Sequence, residues 1–65
     1  MYINTPKGIF VGAFNEDDLR AGRDKAAVSE AKQQFTDHKY TATELVTKRG
    51  KITAIRIYIT TKYPA

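Results

Sequence analysis

Asp37 and His38 are the one carboxylate and imidazole in this chain that stand side by side, and Ser29 is its only serine. A hydrolytic triad needs a nucleophile, a base and an orienting acid brought into hydrogen-bond reach. Adjacent residues seldom face one another as acid and base, so Asp37-His38 reads as a polar helix terminus, where imidazole suits the negative end of the dipole. Glu16, Asp17 and Asp18 form an acidic run, but a calcium loop spaces its ligands over twelve residues around a glycine, and that ladder is missing. With no cysteine and one histidine there is no thiolate chemistry and no zinc set. Gly8 and Gly12 lack the lysine of a phosphate loop. The sequence therefore predicts no enzyme, no metal and no cofactor.

A second group of residues points to binding. From Lys39 to Ala65 stand six cations (Lys39, Lys48, Arg49, Lys51, Arg56 and Lys62) against one anion, Glu44, a net of +5, while the first 38 residues carry −1. The whole +4 of the chain thus lies in its last third. Charge confined to one element says more about partners than about folding. Lys48, Arg49 and Lys51 cluster around Gly50, with Arg56, Tyr40 and Tyr58 nearby in alternation. Cations release counterions when they meet phosphates, and aromatic faces stack on unpaired bases. The eight residues Lys48, Arg49, Lys51, Arg56, Tyr40, Tyr58, Lys39 and Lys62 are the expected nucleic-acid surface, for DNA or RNA. The competing reading takes Tyr40, Val46, Ile52 and Tyr58 as an apolar, protein-binding face. Its partner is a larger protein that this chain regulates or inhibits, or a second copy of itself in a homodimer. Solvated charge that keeps an exposed sheet soluble accounts for the tip cations equally simply.

The elements that position these groups follow from period and punctuation. Sixty-five residues make one domain, 1–65, with a thin core. Ile9 to Phe14 reads as the first strand (9–14), after Pro6 and Gly8 interrupt an earlier start at Tyr2-Ile3-Asn4. Phe10 and Phe14 fall on one face of it at a period of two, and are assigned to the core. Asn15 is a helix cap, and the acidic trio complements the dipole of the first turn. Leu19 and Ala26 lie on a different stripe from Ala27, Val28, Ala31 and Phe35, and Gly22 costs about 1 kcal/mol in a helix. A break at Gly22 follows. It separates a turn over 16–21 from a main helix over 24–36 capped by Asp24.

Strands 40–47 and 51–62 then form a hairpin. A three-residue loop Lys48-Arg49-Gly50 would pair Thr47 with Lys51 and Leu45 with Thr53, placing Leu45 with Ile55, Ile57 and Ile59 in the core. A two-residue Arg49-Gly50 loop would set Leu45 against Ala54, away from the isoleucines, so burial favours the longer loop. The other face carries Tyr40, Ala42, Glu44, Val46, Ile52, Ala54, Arg56 and Tyr58. The fold class expected is α+β: strand, helix, strand, strand, in a three-stranded antiparallel sheet of order 1-3-2 with one main helix on one face. No apolar run approaches the twenty or so residues of a membrane span, and Met1 to Pro6 lacks the charged region of a signal peptide. A cytoplasmic protein with no membrane partner is the expectation.

Overall fold

The computed structural model describes residues 2–62, so Met1 and residues 63–65 of the domain expected over 1–65 lie outside the described residues. The structure is a small α+β fold with a four-stranded antiparallel sheet and two helices. Its elements are β1 (Ile3–Thr5), β2 (Gly8–Phe14), α1 (Glu16–Ala21), α2 (Arg23–Gln34), β3 (Tyr40–Lys48) and β4 (Lys51–Thr60). The sheet order is β1-β2-β4-β3, and every neighbouring pair is antiparallel. The expected order survives for the three long strands, with β4 in the middle. What the expectation lacks is the fourth strand.

Pro6 and Gly8 do not interrupt a strand; they make the turn between two. Proline presets φ for a turn position, and glycine supplies the positive φ that follows. Gly8 has φ 127°, and Thr5 closes the turn by donating its hydroxyl to the Gly8 carbonyl at 2.7 Å. Ile3 then pairs with Phe10 and Thr5 with Gly8, which gives β2 an outer neighbour only three residues long.

The second departure is a bulge in β2. Ile9 faces Ile59 and Phe10 faces Tyr58, but Gly12 faces Ile57, so Val11 is the extra residue. An extra residue shifts the alternation of side chains by one. Phe10 therefore lies with Tyr58 and Ala13 with Arg56 on the open face, while Phe14 pairs with Ile55 on the helix side. This corrects the assignment of Phe10 and Phe14 to one core face. The core proper is Ile9, Ala31 and Ile59, with Tyr2, Val11, Val28 and Phe35 packed against it. Tyr2 meets Phe35 edge-on at 5.6 Å, and Phe35 meets His38 at 5.7 Å.

The helices break where the two apolar stripes diverge. Asn15 caps α1 in a reciprocal box: its Oδ1 accepts the Asp18 N–H at 2.9 Å and the Asp18 carboxylate accepts the Asn15 N–H at 3.2 Å. Gly22, at φ 76°, ends α1 and starts α2 in one left-handed residue. The main helix thus begins at Arg23, one residue before the expected Asp24 cap. It ends at Gln34, because Phe35 leaves helical geometry. Asp24 lies inside the first turn, and its Oδ1 is buried with no hydrogen-bond partner among the described residues.

Candidate nucleic-acid interface

The hairpin takes a register that neither simple loop provides. Lys48 pairs with Lys51, so the loop is the two residues Arg49 and Gly50, both left-handed at φ 53° and 76°. Two positive φ values make a turn whose twist matches the strands. Thr47 pairs with Ile52 and Val46 with Ala54, which makes Thr53 an extra residue in β4. Beyond that bulge Leu45 faces Ile55. The two-residue loop and the bulge together restore the core-side grouping of Leu45 that the three-residue loop would have provided. They also move Ile52. Opposite Thr47, it shares the helix side with Leu45 and Ile55, so its expected place beside Val46 on the open face is corrected.

Sheet pairing explains why the hairpin tip is an arm. β2 follows β4 only as far as Phe14 opposite Ile55. Residues 46–48 and 51–54 continue alone as a two-stranded ribbon, about 13 Å at 3.3 Å per residue. Lys48, Arg49 and Lys51 are exposed at its end. Lys48 lies directly opposite Lys51, an arrangement that costs stability, because like charges facing across a strand pair repel.

Glu44, the hairpin's only carboxylate, is already surrounded. Tyr58 donates its hydroxyl to Glu44 Oε1 at 3.3 Å, Arg56 Nη1 stands 3.6 Å from the same oxygen, and Lys7 from the β1-β2 turn pairs with Oε2. Lys7 escapes a reading of the hairpin alone. Only the pairing of β1 with β2 brings it across the open face, and the Thr5-Pro6-Lys7-Gly8 turn is the sequence signal that would have found it.

The other expected site residues separate into two places. Tyr58 is 6% exposed, against the Phe10 ring at 5.5 Å, so it presents no face for a base or a protein to stack on. It was expected on an accessible surface, and the bulge at Val11 is what covers it. Arg56 stays half-exposed beside Glu44. Lys39, Tyr40 and Lys62 sit at the opposite end of the hairpin, where Tyr40 pairs with Thr60. The eight residues thus form a cationic tip, a neutralised centre and a cationic base along one ribbon. Nor do Tyr40, Val46, Ile52 and Tyr58 form one face: Ile52 is on the helix side and Tyr58 is buried.

What sequence reading missed is an apolar patch on the helix side of the arm. Leu19, Leu45 and Ile52 are 37%, 59% and 62% exposed. Phe14, Leu19, Ile52 and Ile55 line a hollow of about 460 Å³ beside Glu16 and Asp17. A second groove, about 790 Å³, runs between α2 and β3 over Val28, Ile55 and Ile57, with Asp24, Lys25 and Lys32 on its rim.

Two carboxylates are shifted. Asp18 is held below the ordinary range by the Asn15 N–H and then by the Arg23 guanidinium, 2.8 Å away. Asp37 is lowered chiefly by His38, whose Nδ1 lies 2.9 Å from its carboxylate. The neighbours therefore do meet, contrary to the expectation for adjacent residues, at the exit from α2. Among the described residues no three metal-ligating side chains converge, and no helix is long and apolar enough to cross a membrane.

Comparison with protein-family models, curated proteins and solved structures returns no match to this chain.

Proposed function

We propose that the chain is a binding module that grips nucleic acid through the phosphate backbone, using the tip of the β3-β4 arm. One observation carries this reading. Lys48 and Lys51 face each other with Arg49 between them, while the hairpin's single carboxylate is held by Lys7, Arg56 and Tyr58. Folding alone gains nothing from that opposition, whereas a phosphate between the cations would relieve it. A two-stranded ribbon also has the width to enter a major groove. With Tyr58 buried, stacking plays no part in the reading, and contacts to phosphate without base readout are the expectation.

Titration of duplex and single-stranded oligonucleotides at several salt concentrations tests it. Affinity should fall with salt at a log-log slope of about −0.9 per phosphate neutralised on duplex DNA, hence about −3 for three tip cations. Replacing Arg49 and Lys51 by Ala should flatten that slope by about 2. No binding at low salt, or a slope untouched by the double substitution, would overturn the proposal.

The alternative, a protein-binding surface, is supported by a different observation. Leu45 and Ile52 leave more than half of their surface in water on the same side of the arm. Exposed aliphatic residues that adjoin one another, beside an unpaired strand, are the usual marks of a protein interface.

A further inference from the structure

The sheet ends in two unlike edges. β1 is three residues long, a short edge of the kind that does not recruit further strands, but β3 runs nine residues as the outermost strand on the other side. It contains no proline or glycine, and the extra residue of the bulge lies in β4 and not in β3. Neither proline nor a bulge blunts it, and its two charges, Glu44 and Lys48, are opposite in sign.

The distal half of that strand is complementary to itself when turned end to end. Glu44, Leu45, Val46, Thr47 and Lys48 are symmetric about Val46: an acid two residues before it, a base two residues after. In an antiparallel pair related by a twofold axis, residue i faces j and j faces i. Centred on Val46, Glu44 of each copy faces Lys48 of the other, and Val46 faces Val46. Side chains directly opposite share a face, so the register can be followed across the whole assembly. On the open face Lys51, Lys48, the second copy's Glu44 and its Arg56 would stand in one row. That row places a carboxylate next to Lys48, which within one chain faces only Lys51. On the helix side Ile52, Thr47, the second copy's Leu45 and its Ile55 would form another row, and the symmetric row repeats it. Leu45, 59% exposed, would be covered directly by Thr47 of the second copy, with Ile52, 62% exposed, one strand further along the same row.

We infer that β3 is a homodimerisation edge, pairing antiparallel with β3 of a second copy about Val46 to join two four-stranded sheets into one of eight strands. The pairing draws on residues 44–48, leaves Arg49 and Lys51 of both tips facing outward, and does not depend on any nucleic acid. A five-residue ladder with four aliphatic side chains is small beside a standard interface, so the dimer is a weak, concentration-dependent one.

Sedimentation of the full chain without nucleic acid tests this separately from the binding proposal. The mass should rise from 7.3 kDa toward twice that value as concentration approaches about 0.1 mM. Lys48→Glu should weaken association at least tenfold by setting acid against acid twice, and combining it with Glu44→Lys should recover most of the loss. The chain has no cysteine, so a single introduced thiol reports geometry without interference. Val46→Cys places two thiols in directly opposed positions with the spacing of a disulfide, and oxidised glutathione should cross-link it rapidly. Ala42→Cys puts them about 27 Å apart at 3.4 Å per residue and should cross-link at least tenfold more slowly. A monomer throughout the concentration range overturns the inference, as does equal cross-linking at the two positions or a double charge reversal that fails to restore association. Should the dimer fail while salt-dependent oligonucleotide binding persists, the proposed function stands without it.

Discussion

Gly8 lies so close to Ile59 that a Cβ built on it would sit 2.5 Å from the Ile59 carbonyl oxygen. The contact is backbone against side-chain position, so no rotamer can relieve it. Its φ of 127° excludes other residues on a second count. The turn that makes β1 an outer strand and the close approach of β2 to β4 thus meet at one residue. Gly8→Ala should destabilise the protein by about 2 to 3 kcal/mol, within the range for strain at a special backbone position. Urea unfolding checks this. An unchanged midpoint would mean that β1 and its turn are not part of the stable fold.

Tyr58→Phe removes the hydroxyl that Glu44 accepts and keeps the ring against Phe10. The cost should be about 1 kcal/mol, the net worth of a hydrogen bond to a charged group that keeps its other partners. Tyr58→Ala removes the ring from a position only 6% exposed and should cost about 3 to 5 kcal/mol. Thermal unfolding of the two variants should therefore separate them widely. Similar losses would contradict the burial of this side chain.

Lys51→Glu should move stability and binding in opposite directions. It replaces a repelling pair with an attracting one opposite Lys48, worth about 0.2 to 1 kcal/mol of stability. It also puts a carboxylate on the surface proposed to meet phosphate, so oligonucleotide affinity at low salt should fall. A variant that is more stable and binds equally well would remove the tip from the proposed interface.

Asn15→Ala should cost about 1 kcal/mol, because it leaves the Asp18 N–H without its acceptor at the start of α1. Circular dichroism on heating measures it.

Acid acts on the other half of that box. Asp18 has a lowered pKa in the folded state, because the Asn15 N–H and Arg23 favour its charged form. Its contribution is complete above the ordinary aspartate value of about 4 and is lost as pH falls below that toward the folded-state value. Asp37, lowered by His38, adds to the same window. Stability measured from pH 5 down to pH 2 should decline, and Asp18→Asn should show a shallower decline. Parallel curves for the two proteins would contradict the shift.

Local chemistry read along the chain settled a good deal. Asn15 as a cap, Gly22 as the break between two helical stripes, and a chain reversal at Gly50 each depend on residues within a few positions of one another, although the loop there is two residues long and not the three that burial favoured. The charge of the hairpin is a matter of composition, and the central place of β4 followed from the run Ile55, Ile57 and Ile59. What local reading could not supply is the phase of a strand after a bulge. Val11 and Thr53 each add one residue that only the partner strand can reveal, and each addition exchanges the faces of what lies beyond it. Phe10 left the core side and covered Tyr58; Ile52 left the open side and joined Leu45. Lys7 reached Glu44 only because β1 folded back on β2. The sequence by itself determined the two helices, the three long strands and where the charge lies, because those depend on near neighbours. The tertiary structure alone decided which side chains share a surface, because period-two alternation holds only between bulges, and pairing between distant strands sets where those bulges fall.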